Sequence, residues 1–205
     1  MTEHDPSAHW SAVYRDKAHD AVSWYQRAPG ASLALVRAAG LPAGARILDV
    51  GAGASTLADA LVDGGYDLTL LDVASPALEV TRARLGDRAS KVRFVVADVT
   101  AWQPDATWDL WHDRAVFHFL VDPSARAAYV RALSAAVAPG GQAVIGAFAP
   151  DGPERCSGLP VRRYSPEGLA AELGDAFSLV EAAREVHVTP WGAEQRFAFA
   201  RLARR

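Results

Sequence analysis

The sequence predicts an α/β fold: a seven-stranded, mostly parallel sheet with helices on both faces, closed by a C-terminal antiparallel hairpin and preceded by a helical segment. Three observations predict it. Strand-like apolar runs alternate with helix-like ones from about residue 46 to 148, the pattern of a parallel sheet built by crossovers. The first strand runs directly into a glycine turn, Gly51-Ala-Gly53, and then into a helix start at Ser55 and Thr56. The last two β-like runs, about 177–188 and 194–202, are joined only by Thr189, Pro190, Trp191 and Gly192. That link is too short for a helical crossover, so the two runs must pair as an antiparallel hairpin.

Each element has its own signal. In residues 9–28, Trp10, Tyr14, Ala18 and Ala21 recur near helical spacing, followed by Ser23, Trp24 and Tyr25. Two readings stand: an amphipathic helix with its aromatic face in the core, or a lid whose rings close over a ligand. Residues 32–39 read as a short helix with Leu33, Leu35 and Val36 apolar, ended by Gly40 and Pro42. The first strand is 46–50. The helix after the glycine turn places Leu57, Ala58, Leu61 and Val62 on one face and ends at Gly64 and Gly65. A strand at 67–72 leads to Ser75 and Pro76, which cap and start a helix reaching about residue 85. Strands follow at 91–97 and 108–112, then a helix opened by Asp122 and Pro123 and running to about 137. Pro139, Gly140 and Gly141 make a sharp turn into a strand at 142–148. Residues 149–164 read as a loop long enough to suspect function. Ser165 and Pro166 cap a short helix ending near Gly174. The division expected is an N-terminal helical extension over 1–44 and a main domain over 45–205.

Composition narrows the function. The chain has 205 residues, half of them hydrophobic, and a formal charge of −3, which offers no general attraction to nucleic acid or acidic membrane. Cys156 is the single cysteine, which rules out an internal disulfide and a multi-cysteine metal site. The start of the chain is polar and acidic, unlike a signal peptide, and no apolar run approaches the roughly 20 residues of a membrane helix. These features fit a cytoplasmic protein without nucleic-acid or membrane partners, a monomer or a homodimer.

The strand ends carry the chemistry. Ligands of open α/β sheets bind beyond the carboxyl ends of the strands, and Asp49, Asp72, Asp98 and Asp113 all fall at or near such ends. The third glycine of a dinucleotide fingerprint is replaced by Thr56, and no Gly-Lys-Ser/Thr phosphate loop follows. Asp72 is placed to accept hydrogen bonds from ribose hydroxyls. A carboxylate at Asp49, against the turn, would repel a pyrophosphate but suits an ammonium or sulfonium group.

Together, D-V-G-A-G at 49–53, L-L-D at 70–72, A-D-V at 97–99 and P-G-G at 139–141 resemble the Rossmann-like (class I) S-adenosylmethionine-dependent methyltransferases. The resemblance covers about residues 45–202. It implies a Rossmann-like three-layer sandwich with an N-terminal helical lid. It also implies S-adenosyl-L-methionine as cofactor and S-adenosyl-L-homocysteine as product. By this resemblance Gly51 and Gly53 let the cofactor's amino-acid part approach, with Asp49 near its ammonium group. Asp72 would hold the ribose, Asp98 the adenine amine, Val99 would supply a backbone donor, and Val73 would pack on the adenine face. In related families the N-terminal segment folds over the cofactor, which would bring Trp10, Tyr14 and Trp24 to the site. The stretch Asp113-Arg114-Ala-Val-Phe-His118, with the N-terminal aromatics, looks like small bacterial methyltransferases. It is distantly similar to thiopurine methyltransferases and to lysine methyltransferases acting on citrate synthase. The lysine enzymes often carry Asp-Lys-Gly where this chain has Asp113, Arg114 and Ala115.

The candidates for chemistry at the acceptor lie near the fourth strand's end: His112, Asp113, Arg114 and His118. His118 sits in an apolar run and reads either as a general base or as a core histidine. Asp113 and Arg114 either touch ligand or pair with each other. Strand alternation argues against His112, Asp113 and His118 sharing a metal, and no metal is expected. Cys156 reads as an ordinary thiol. Arg162, Arg163 and Tyr164 would gather an anionic substrate or anchor their loop, and His187 and Trp191 would line the mouth or pack the hairpin. The function expected is methyl transfer to a small-molecule sulfur or nitrogen acceptor. The alternatives are a protein-lysine methyltransferase, a nicotinamide oxidoreductase and a non-catalytic cofactor-binding module.

Overall fold

The structure, a computed structural model, describes residues 5–205; the polar stretch 1–4 lies outside the described residues. Helices α1 (Pro6–Asp16) and α2 (Gly30–Ala38) precede the sheet. The body then runs β1 (Arg46–Val50), α3 (Leu57–Asp63), β2 (Asp67–Asp72), α4 (Ser75–Leu85), β3 (Val92–Val96), β4 (Trp108–Arg114), α5 (Pro123–Ala136) and β5 (Val137–Phe148). A two-residue hairpin follows, β6 (Arg155–Cys156) with β7 (Leu159–Pro160), then α6 (Pro166–Leu173), β8 (Phe177–Val188) and β9 (Glu194–Arg204).

The main sheet has seven strands in the order β3-β2-β1-β4-β5-β9-β8. All pairs are parallel except β5 with β9 and β8 with β9. Both faces are covered, so the central strands are apolar almost throughout. Alternation sends Leu48, Val50 and Leu71 to a core shared with α5 and α6, and Ile47, Leu68 and Leu70 to one shared with α2 and α3. Strand order reverses between β1 and β4, and the crevice opens beyond their carboxyl ends.

Three elements depart from expectation. The N-terminal helix stops at Asp16, with Lys17 extended, so Ala18 and Ala21 are not helical. Residues 17–29 instead follow the body, through Thr56 Oγ1 donating to Gln26 O at 3.1 Å and His187 Nε2 meeting Ser23 O at 2.7 Å. Those tertiary bonds take backbone carbonyls that an isolated segment would use locally. Pro139, Gly140 and Gly141 lie within β5 rather than before it, at a register shift where Trp108 faces Val137 and Leu110 faces Gln142. The loop 149–164 contains the small β6–β7 hairpin.

Candidate functional site

The glycine turn is built from strand β1 outward. Gly51 and Ala52 donate their N–H groups to Leu71 O at 2.7 and 3.1 Å, which ties the turn to β2. Gly51 and Gly53 have φ of +63° and +51°, a region costly for residues with a Cβ. A Cβ on Gly51 would overlap the Val116 side chain, and one on Gly53 would run into the Tyr14 hydroxyl. Helix α4 holds the turn from behind. Thr81 Oγ1 donates to Gly53 O at 3.0 Å, and Arg84 donates to Ala54 O and Ser55 O at 2.9 and 2.6 Å. Neither Thr81 nor Arg84 has a local sequence signal for this task, because the contact spans about thirty residues.

Asp49 is buried, and its Oδ1 lies 2.6 Å from His112 Nδ1. His112 Nε2 in turn lies 2.9 Å from Ser32 Oγ. The row Ser32–His112–Asp49 therefore joins α2, β4 and β1. Asp49 Oδ2 is buried with no hydrogen-bond partner. An unpaired carboxylate oxygen beside two left-handed glycines fits a ligand cation such as an ammonium.

Asp72, at the end of β2, accepts from Gly53 N at 2.8 Å through Oδ2 and from Ala74 N at 2.7 Å through Oδ1. Burial pushes its pKa up to about 6 despite those bonds. Asp98 Oδ1 accepts from Thr100 N and Thr100 Oγ1 at 2.8 and 2.7 Å, so this carboxylate braces its own turn and does not line the cavity described next.

A cavity of about 210 Å³ opens beside Asp72. Leu71, Val73, Ala97 and Val99 form one end; Trp10, Tyr14 and Trp24 form its roof. The far wall comprises Arg114, Ala115, Val116, Phe119, Leu120, Cys156, Leu159, Gln195 and Phe197. A smaller recess of about 50 Å³ reaches Ser32, Asp49, Ser55 and His112, and shares Tyr14, Trp24, Gly51 and Arg114 with the first. The roof is a connected aromatic group. Trp24 Nε1 donates to Tyr14 Oη at 3.2 Å, and the Trp10 ring meets Trp24 and Phe119 edge-on at 5.5 and 5.0 Å. Tyr14 has its pKa raised by burial and by the charge of Asp72, so its hydroxyl stays protonated. These rings pack on the body and line the cavity at once.

The candidates around β4 separate. Asp113 is fully buried and accepts from Val116 N at 2.8 Å, Phe117 N at 3.0 Å and Tyr129 Oη at 2.6 Å. It pins the turn after β4 and does not line the cavity. Nor does it pair with Arg114. The Arg114 guanidinium lies over the Phe197 ring at 4.3 Å, donates to Trp24 O at 3.2 Å and reaches Glu185 at 3.5 Å. His118 is enclosed by Phe119 and Phe148, and its Nδ1 accepts from Phe148 N at 3.3 Å. Burial pushes its pKa down to about 3, so the ring is neutral, and it lies outside the cavity wall. This is a core-histidine environment, although the adjacent Phe119 lines the cavity.

The other candidates also have structural partners. Arg162 pairs with Glu172 at 3.1 Å and Arg163 with Glu154 at 3.0 Å, both away from the cavity. Tyr164 packs against Phe117, and Trp191 is exposed at the hairpin tip. Cys156 does line the cavity, its thiol pushed up to about 11 by burial. Gln195, which sequence reasoning did not single out, lines it as well. Its hairpin position was readable, but its place in the same cavity lining as Arg114 depends on how β9 folds back across β5. Among the described residues no group of three His, Cys, Asp or Glu side chains is placed to hold a metal ion, and no helix is long and apolar enough to cross a membrane.

Residues 47–141, from β1 through the bulge of β5, match the sequence model of the methyltransferase-domain family. Ubiquinone biosynthesis O-methyltransferase of Bordetella avium (strain 197N) is 31% identical over 105 residues, covering 50% of this chain and 42% of that protein. The match thus spans less than half the relative's length. The 1,6-didemethyltoxoflavin-N1-methyltransferase of Burkholderia thailandensis superposes with a TM-score of 0.73 at 24% identity, covering 100% of this chain and 92% of that one. The N-methyltransferase NodS of Bradyrhizobium japonicum WM9 superposes with a TM-score of 0.71 at 19% identity, covering 98% and 99%. These likenesses are of fold. The matched stretch includes the glycine turn, Asp72 and Asp98, while Trp10, Tyr14, Trp24 and Gln195 lie outside it.

Proposed function

We propose that this methyltransferase domain transfers a methyl group from S-adenosyl-L-methionine to a nitrogen or sulfur atom of a small molecule. The observation that carries the reading is the buried, unpartnered Asp49 Oδ2 facing the Gly51–Gly53 turn, with Asp72 at the next strand end. When bound, the cofactor supplies an electrophilic methyl on a sulfonium. Asp49, oriented by His112 and Ser32, holds the ammonium of its amino-acid end. Asp72 accepts from the ribose hydroxyls, and Leu71, Val73 and Val99 pack the base. Trp10, Tyr14 and Trp24 act as a lid that excludes water and aligns the acceptor, a service worth on the order of 7–11 kcal/mol in favourable cases.

The described residues of the wall support nitrogen or sulfur as the acceptor atom. Histidines 112 and 118 and Asp113 are held by other partners, Tyr14 and Cys156 stay protonated, and Arg114 is a cation. Among the described residues, no side chain on the acceptor side of the cavity is poised to deprotonate an alcohol. A heteroaromatic nitrogen, whose lone pair is free at neutral pH, or a thiol ionised in solution needs no such base, and an amine can react as the fraction already unprotonated. Labelled cofactor and a panel of thiols, amines and phenols test this: transfer to nitrogen or sulfur is expected, and transfer to phenols alone would overturn it. A single labelled protein band from cell lysate would instead favour a protein substrate. Calorimetry is expected to show S-adenosylhomocysteine binding; heat from NADH but none from S-adenosylhomocysteine would sink the reading.

A further inference from the structure

Two residues that line the cavity, Arg114 and Gln195, each carry a buried polar atom without a hydrogen-bond partner among the described residues, and the two atoms are of opposite kind. Arg114 Nε is a donor only, and Gln195 Oε1 is an acceptor only. Gln195 is 8% exposed. The two belong to one neighbourhood. The Arg114 guanidinium stacks on Phe197, and Phe197 stands two residues along β9 from Gln195, on the same face at a spacing of about 7 Å. Buried polar groups in folded proteins are nearly always paired, so an unpaired donor and acceptor on one cavity wall mark places that a ligand fills.

The remaining surface restricts that ligand. Trp10, Trp24, Phe119 and Phe197 are flat and apolar, and suit a planar ring. Charge is already balanced there, because Glu185 faces Arg114 at 3.5 Å. An entering anion would meet Glu185 along with Arg114, and an entering cation would meet the guanidinium.

We propose that the methyl acceptor is a planar, uncharged heterocycle carrying a lactam: its ring N–H donates to Gln195 Oε1, and its carbonyl oxygen accepts from Arg114 Nε. The proposal rests on the methyltransferase reading and narrows its substrate class. Arg114 and Gln195 are then specificity residues. Neither is a base, since a guanidinium has no lone pair to give and an amide is not basic.

Calorimetry on the full chain saturated with S-adenosylhomocysteine tests this with three probes: quinazolin-4-one, quinazoline and quinoline-4-carboxylate. Quinazolin-4-one should bind at least tenfold more tightly than quinazoline, which has the same rings without the lactam. Gln195→Leu should shrink that ratio at least fivefold while S-adenosylhomocysteine binds within twofold of native. A ratio near one in the native chain, tightest binding by the carboxylate, or a ratio that survives in Gln195→Leu would each overturn the proposal. The native comparison stands even if the variant fails to fold. Absence of S-adenosylhomocysteine binding defeats the methyltransferase reading itself; binding without lactam preference defeats only the acceptor proposal.

Discussion

Asp72 offers the sharpest test of the site, because its burial ties stability and ligand binding to one titration. Its carboxylate is held between Gly53 N and Ala74 N, yet its pKa lies at about 6 against an ordinary 3.8. Desolvation of the charged form outweighs the two hydrogen bonds. Between about pH 4 and pH 6 the folded chain keeps a proton here that the unfolded chain has released. Stability contributed by this site therefore falls as pH rises through that window. Asp72→Asn removes the titration, so the variant's unfolding free energy, relative to native, should rise by about 2 kcal/mol between pH 4.5 and pH 7, since each tenfold difference in proton affinity between the folded and unfolded chains is worth roughly 1.4 kcal/mol. Urea denaturation of both proteins at matched pH measures it. A difference that stays flat with pH would refute the claim that Asp72 is raised by burial. The same titration has a functional side. The ionised carboxylate is the stronger acceptor for ribose hydroxyls, so S-adenosylhomocysteine affinity should weaken as pH drops below 6.

Three other outcomes follow from the same geometry. Asp72→Ala should weaken S-adenosylhomocysteine binding more than tenfold, since hydrogen bonds to a charged group contribute roughly 1.5–3 kcal/mol each; an unchanged Kd would remove Asp72 from the ribose role. Asp113→Ala should cost about 3–5 kcal/mol of stability, because Val116 N, Phe117 N and Tyr129 Oη all lose a buried acceptor; a loss under about 1 kcal/mol in thermal or urea unfolding would contradict its role as the pin of that turn. His118→Ala should lower Tm by several degrees with kcat nearly unchanged, as expected for a side chain closed in by Phe119 and Phe148; a large kcat loss at constant Tm would restore it as a base.

Much of this was legible because it is local. The order of strands and helices follows from apolar periodicity and turn residues that lie close together in the chain. The terminal hairpin follows from a link too short for anything else. The Gly51–Gly53 turn is marked by its own glycines, whose left-handed φ other residues resist. The end of the N-terminal helix was not legible in the same way. Its aromatic spacing continues in the sequence past Asp16, and bonds that the Ser23, Trp24 and Gln26 carbonyls accept from distant residues hold the chain on the body beyond the helix.

The acceptor side shows the boundary more clearly. Asp113, Arg114 and His118 are near neighbours in sequence and looked like one chemical group. The strand end and the 3-10 turn around Phe117–Phe119 send them apart: Asp113 into a hydrogen-bonded core, His118 among aromatic rings, and only Arg114 into the cavity. Conversely, Gln195 lies about eighty residues from Arg114 and reaches the same cavity because β9 pairs with β5, which pairs with β4. The sequence by itself determined the sheet, its glycine turn and the row of acids at its strand ends, because these depend on short-range stereochemistry and on hydrophobic period. Only the tertiary structure decided which polar groups face the ligand, because burial and hydrogen-bond partners are set by segments that meet only when the chain has folded.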